Sequence, residues 1–134
     1  MDTLVDSNIL IDIATRDSRW VDWSTSALIE ARVTGRLVIN QLIFAEVGAG
    51  FPDRKRLDVL LPSGGYRRES VPWEAAHLAG IRFREYRQHG GVRERQLPDF
   101  MIAAHAEVAG HRLLTRDTRI YRRWFPAVDL VSPE

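Results

Sequence analysis

The chain has 134 residues, 45% of them hydrophobic and 28% charged, with a formal net charge of +1 and no cysteine. That length suits one domain with its own core and excludes two, and the missing cysteine excludes disulfides, thiolate nucleophiles and cysteine-held zinc or iron–sulfur clusters. The near-neutral balance excludes an overall cationic field, so any nucleic-acid binding has to come from local patches.

No apolar stretch approaches bilayer length, and Asp2 and Asp6 interrupt anything like a leader, so a soluble, cytoplasmic, single domain over residues 1–134 is expected, with no membrane association. Eighteen of the nineteen basic residues are arginine and only Lys55 is lysine. Base composition explains that bias as well as function does, although arginine also suits bidentate phosphate contacts.

Thr3-Leu4-Val5 is a short apolar run of β-formers that stops at Asp6, and Ser7-Asn8 can cap a helix through Ile9, Leu10 and Ile13. A second helix is expected from about Trp20 to Val33, ending near Gly35, before a buried strand at Leu37-Val38-Ile39. Gln41 to Ala49 reads as helical with Leu42, Ala45 and Gly48 in one stripe, and Gly50-Phe51-Pro52 breaks it.

Arg54 to Leu61 is a brief amphipathic helix, Pro62 to Gly65 a turn, and Arg68 to Val71 a weak strand. The longer helix from Trp73 to about His89 closes at Gly90-Gly91, and a polar loop leads to Pro98. Asp99 to Ala109 is alanine-rich and apolar almost all round, which predicts a buried helix ended by Gly110. Leu113-Leu114-Thr115 is a core strand, Asp117 opens a short helix through Tyr121 and Trp124, and Val128 to Val131 closes the chain as a strand. Strands alternating with helices predict an α/β protein whose mainly parallel sheet is covered on both faces.

Ligands of such sheets gather at the carboxyl ends of the strands. Asp6 and Asp117 directly follow strands, and Glu46 lies in the second turn of a helix leaving one. Asp99 begins a helix that returns to a strand, so its N-terminus also lies at that edge. The nine residues from Gly90 to Pro98, at about 3.3 Å each, reach roughly 30 Å, enough to climb there. Asp2, Glu107 and Asp129 go to the opposite edge or the far end of a helix, and Glu74, which begins a helix after the third strand and could also face the site, reads as a helix-start residue.

Singly, each aspartate is explained by helix capping and Glu46 by solvation; the set is what points to a site. Clustered carboxylates repel unless a cation joins them. Mg²⁺ or Mn²⁺ suits an all-oxygen set, keeps waters, and can activate one against a phosphodiester without a cysteine or histidine nucleophile. His77, His89, His105 and His111 share no metal-ligand spacing and are set aside. Trp20, Trp23, Phe44, Phe51 and Trp124 read as core, with Trp20, Trp23 and Phe51 also placed to line a partner groove. Arg93, Arg95, Arg116 and Arg119 flank Asp99 and Asp117 and are candidate contacts to RNA phosphates.

Taken together, Leu4-Val5-Asp6-Ser7-Asn8-Ile9-Leu10, Leu42-Ile43-Phe44-Ala45-Glu46-Val47, Pro98-Asp99-Phe100-Met101-Ile102-Ala103-Ala104 and Leu113-Leu114-Thr115-Arg116-Asp117, followed by Tyr121 and Phe125, resemble the PIN-domain family, specifically its VapC-type toxins. The match runs in order along essentially the whole chain. Ser7 stands where threonine is commoner, and Phe100-Met101 where smaller residues often occur, but no ligand position is lost.

The resemblance implies a three-layer α/β/α sandwich and a Mg²⁺- or Mn²⁺-dependent endoribonuclease using Asp6, Glu46, Asp99 and Asp117. It also implies a homodimer and a VapB-type antitoxin lying in a groove. Asn8, Thr115 and Ser7 would orient ligands or water behind the metal. Receiver or dehalogenase-type phosphotransfer needs a lysine at the site, and Lys55 sits elsewhere. The alternative of a non-catalytic RNA-binding or scaffold PIN-like module predicts a missing carboxylate, and all four are present.

Overall fold

The computed structural model describes residues 1–91 and 96–133. In chain order its elements are β1 (Thr3–Val5), α1 (Ser7–Ala14), α2 (Val21–Thr34), β2 (Leu37–Ile39), α3 (Gln41–Gly50), α4 (Arg54–Leu60), β3 (Arg67–Arg68), α5 (Trp73–Gln88), α6 (Gln96–Ala109), β4 (Arg112–Leu114), α7 (Arg119–Trp124) and β5 (Leu130–Val131). The five strands form one sheet in the order β3-β2-β1-β4-β5, and every pairing is parallel.

β1 is central, with Leu4 set opposite Val38 on one side and Leu113 on the other. β2 is buried throughout and β4 at Leu113 and Leu114, so Leu4-Val5, Leu37-Val38-Ile39 and Leu113-Leu114 are continuous apolar runs rather than an alternating pattern. The sheet edges differ. β3 is two exposed arginines paired only to β2, which is why apolar patterning pointed to Arg68 to Val71 instead of Arg67–Arg68. Backbone hydrogen bonding continues one residue further, from the Glu69 N–H to the Ile39 carbonyl at 2.9 Å.

α6 carries the buried body of the protein, with Phe100, Ile102, Ala103, Ala104 and Ala106 all fully buried. Its alanines let α5 approach closely, and Phe100 fills the space between, edge-on to Phe83 at 5.6 Å and to Phe125 at 5.3 Å between ring centres. Gly90 and Gly110, just past the ends of α5 and α6, take positive φ angles of 90° and 72°, the left-handed turn that ends a helix and that glycine adopts without strain.

Three local readings change. α3 turns Ile43 and Val47 inward and leaves Ala45 exposed, because its Asn40 cap and the i, i+4 pair against the sheet fix the rotation. α6 begins at Gln96, not at Asp99, since Pro98 is tolerated inside a first turn whose N–H groups are unpaired anyway. α7 begins at Arg119, so Asp117 stands outside the helix that it was expected to open. None of the described helices is long and apolar enough to cross a membrane.

Phe100→Ala empties the contact between α5, α6 and the α7 end and is expected to destabilise the fold by about 3–5 kcal/mol. Ile81→Ala, at a side chain 43% exposed on α5, should cost less than about 0.5 kcal/mol. Urea melts of the two variants against wild type check the contrast, and equal costs would contradict this account of the core.

Candidate metal centre

Asp6 closes β1 and caps α1, its Oδ1 accepting the Ser7 backbone N–H at 2.8 Å. Its Oδ2 accepts hydroxyl hydrogens from Thr115 at 2.8 Å and Tyr121 at 3.2 Å. The residue is 4% exposed. Burial pushes the Asp6 carboxyl up to about 6; the Thr115, Ser7 and Tyr121 hydrogen bonds oppose that rise, and the negative charge of Glu46 adds to it.

Glu46 comes from α3, where Ser7 Oγ donates to its Oε1 at 3.0 Å, so the serine beside Asp6 reaches an acid thirty-nine positions away. Tyr121 reports on the rest. Burial, then the charges of Asp6, Asp99 and Asp117, together hold its phenol well above the usual tyrosine range, so the hydroxyl stays a donor. Asp6 follows β1, Asp117 follows β4 and Asp99 lies in the first turn of α6, and the charges of all three act on the one phenol.

Thr115 is the hub of the edge. Its Oγ1 gives its hydrogen to Asp6 and accepts from Asn8 Nδ2 at 3.3 Å and the Asp117 backbone N–H at 3.2 Å. Asn8 Oδ1 takes the Arg116 N–H at 3.3 Å, which ties α1 to the turn that carries Asp117. Ser7, Asn8 and Thr115 thus touch the acids or the backbone beside them. Tyr121 had no role of its own in the sequence reading; its one signal there was its position four residues after Asp117, and the structure leaves it 2% exposed.

The arginines divide. Arg116, an expected phosphate contact, instead makes a two-pronged pair with Asp12, Nε to Oδ2 at 2.5 Å and an Nη to Oδ1 at 2.9 Å, and lies over Trp20 at 4.9 Å from the ring centre. Asp12 is 3% exposed and also accepts from Ser24, so Arg116 is the counter-ion that makes its burial tolerable. Arg119 is exposed on α7. Arg93 and Arg95 lie outside the described residues.

The acid edge supplies hard oxygen donors around a buried carboxylate, Asp6, that accepts only from hydroxyls and a backbone N–H among the described residues, which fits a hard divalent ion. A second group also has ligand spacing. Glu69, His105 and His111 bring one oxygen and two ring nitrogens within 4.8 Å of one another. Sequence spacing could not reveal it, because its members come from the end of β3, the middle of α6 and the residue before β4.

The PIN domain family model matches residues 3–125. The chain belongs to the PIN domain family. No curated protein matches it. Among solved structures, this PIN domain is similar to VapBC2 from Rickettsia felis bound to a DNA fragment from their promoter, with a TM-score of 0.76 and 18% identity over 98% of both chains. VapBC-1 from nontypeable Haemophilus influenzae gives 0.73 and 19%, also over 98% of both. FitAcB from Neisseria gonorrhoeae gives 0.67 and 21% over 98% of this chain and 97% of that one. At such identities the likeness is one of fold, and the PIN sandwich with its parallel sheet is shared throughout.

The raised Asp6 pKa has a consequence for the metal-free PIN domain. Below 3.8 the carboxyl is protonated whether folded or unfolded; between there and about 6 only the folded form holds the proton. Stability from this group is therefore full at low pH and is lost as pH rises through about 6, a penalty of about 3 kcal/mol by neutral pH. In EDTA, Asp6→Asn is expected to melt above wild type at pH 8, with the gap closing by pH 4. A gap of equal size at both pH values would mean that burial of the charge is not its source.

Proposed function

We propose that this PIN domain is the toxin of a toxin–antitoxin pair, a Mg²⁺- or Mn²⁺-dependent endoribonuclease. The observation that carries the reading is Asp6, a buried carboxylate held by three hydrogen bonds yet raised to about 6, with the charges of Glu46, Asp99 and Asp117 beside it or acting on the same Tyr121 phenol. Left alone, the buried Asp6 charge opposes folding, and a divalent cation held there would offset it.

Asp6, Asp99 and Asp117 would hold the ion, with Glu46 completing the set or holding a water. When bound, such an ion lowers the pKa of a water ligand and stabilises charge on the leaving oxygen of a phosphodiester. The protein's own groups set the geometry. Thr115 and Ser7 fix the carboxylate planes of Asp6 and Glu46, while Tyr121 keeps its proton and holds Asp6 Oδ2 in place. Asn8 holds the turn that carries Asp117, and exposed Arg119 is the described arginine best placed to meet RNA phosphate.

The toxin assignment is supported by the company of the fold, since VapBC pairs are among the structures it resembles. On that reading the chain works in the cytoplasm as a homodimer, and a VapB-type antitoxin covers the acid edge.

Purified protein with Mn²⁺ should cut a single-stranded RNA, and Asp99→Asn should lower the rate by about 100-fold or more while its circular dichroism stays native. EDTA should have the same effect as the substitution. Cleavage by Asp99→Asn at the wild-type rate would remove Asp99 from the site, and a wild type that does not cut with Mn²⁺ would favour a PIN domain that binds RNA or a partner without cutting.

A further inference from the structure

His105 is 1% exposed and sits in the middle of α6 between two fixed partners. On one side, Asn40 Nδ2 lies 3.0 Å from its Nδ1; on the other, Glu69 Oε1 lies 3.1 Å from its Nε2. Asn40 cannot turn its amide round. Its Oδ1 already accepts the Ile43 N–H at 3.0 Å as the cap of α3, so the group that faces His105 is the N–H donor. His105 Nδ1 must therefore accept, and the ring proton sits on Nε2 and is donated to Glu69.

That tautomer decides between two uses of the Glu69, His105 and His111 cluster. A metal bound at His105 Nε2 would need the proton on Nδ1, where it would meet the Asn40 N–H head on. As it stands the cluster is already satisfied. Glu69 Oε1 accepts from both rings, at 3.1 Å from His105 and 2.8 Å from His111, and its Oε2 accepts from Arg67 at 3.1 Å. These bonds outweigh the upward push of burial and hold the Glu69 carboxyl below its ordinary range, while burial keeps His105 below its own.

We propose that Asn40, His105 and Glu69 form a proton-ordered tie that sets α3 against α6, making His105 a positioning residue for the acid edge. The inference rests on the nuclease reading above. Glu46 lies six residues along α3 from Asn40, and Asp99 six residues along α6 from His105, roughly 9 Å of helix in each case. A shift at the tie is therefore carried by rigid helix to two of the four acids, which arrive on separate elements.

The test compares wild type with Glu69→Ala, Glu69→Gln and His105→Asn in the full chain. Proton–nitrogen correlation spectra of the imidazoles should show His105 as the neutral Nε2–H form in wild type. Calorimetric Mn²⁺ affinity should fall about 10-fold in Glu69→Ala and His105→Asn, with RNA cleavage falling in step. Glu69→Gln, which keeps an oxygen for the His105 proton, should recover most of it. Since Glu69 is partly exposed, its variants serve if His105→Asn fails to fold.

Unchanged Mn²⁺ affinity in a folded Glu69→Ala would overturn the proposal, leaving His105 a core residue only. So would an Nδ1–H tautomer, or a Zn²⁺ site in wild type that His105→Asn abolishes. If wild type binds no Mn²⁺, the nuclease reading fails first and the positioning role goes with it, whatever the tautomer.

Discussion

A carboxylate buried at the end of the central strand is the constraint around which this protein is organised. Asp6 is placed there by β1, which has a parallel partner on each side, so its terminus faces neither solvent nor a sheet edge. The described residues give it three hydrogen bonds, and these do not restore what water would have given. The remaining deficit has to be met by positive charge, and no arginine reaches the group among the described hydrogen bonds. The helix that Asp6 caps contributes only its partial positive end.

The same parallel topology explains why the other acids come from so far apart in sequence. Each strand delivers its following residues to one edge, and each helix that returns to a strand begins at that edge. Thr115 and Ser7 then do at short range what topology does at long range, joining β4 and α3 to the end of β1 through single hydroxyls. A hydroxyl suits both tasks because it can donate to a carboxylate and accept a backbone or amide N–H with the same oxygen.

What could be read in the sequence follows from this. Thr3–Val5 and Leu37–Ile39 are wholly buried, so apolarity located them; Asp6, Glu46 and Asp117 were singled out by their place after strands, and Asp99 by the direction of its helix. β3 was misplaced because an exposed two-residue edge strand has no apolar pattern to detect. The partners of Asp12 and Glu69 were hidden for another reason. Arg116 lies 104 positions from Asp12, and His111 lies 42 from Glu69, so nothing local marks either pair. Much of the arginine bias likewise goes into structure: Arg36 pairs with Asp2, Arg82 with Glu107 and the Trp124 carbonyl, and Arg68 with Asp58. The small net charge is thus largely settled inside the protein, and attraction for a polyanion is left to exposed arginines such as Arg119.

The two carboxylate clusters differ in the sign of what burial leaves behind, and that difference says which of them calls for a metal. Glu69 is met by two imidazoles and a guanidinium, so its charge is favoured and its pKa lowered. Adding a cation there would displace protons that are already well placed. Asp6 is met by hydroxyls and one backbone N–H, which are dipoles without net charge, and Glu46 adds repulsion. No cationic side chain among the described residues hydrogen-bonds to Asp6, and that is the ground for proposing a cation there. Ligand spacing alone would rank Glu69, His105 and His111 as the metal site; proton accounting reverses the ranking, because a site is inviting to a metal ion to the degree that its own side chains have left it unneutralised.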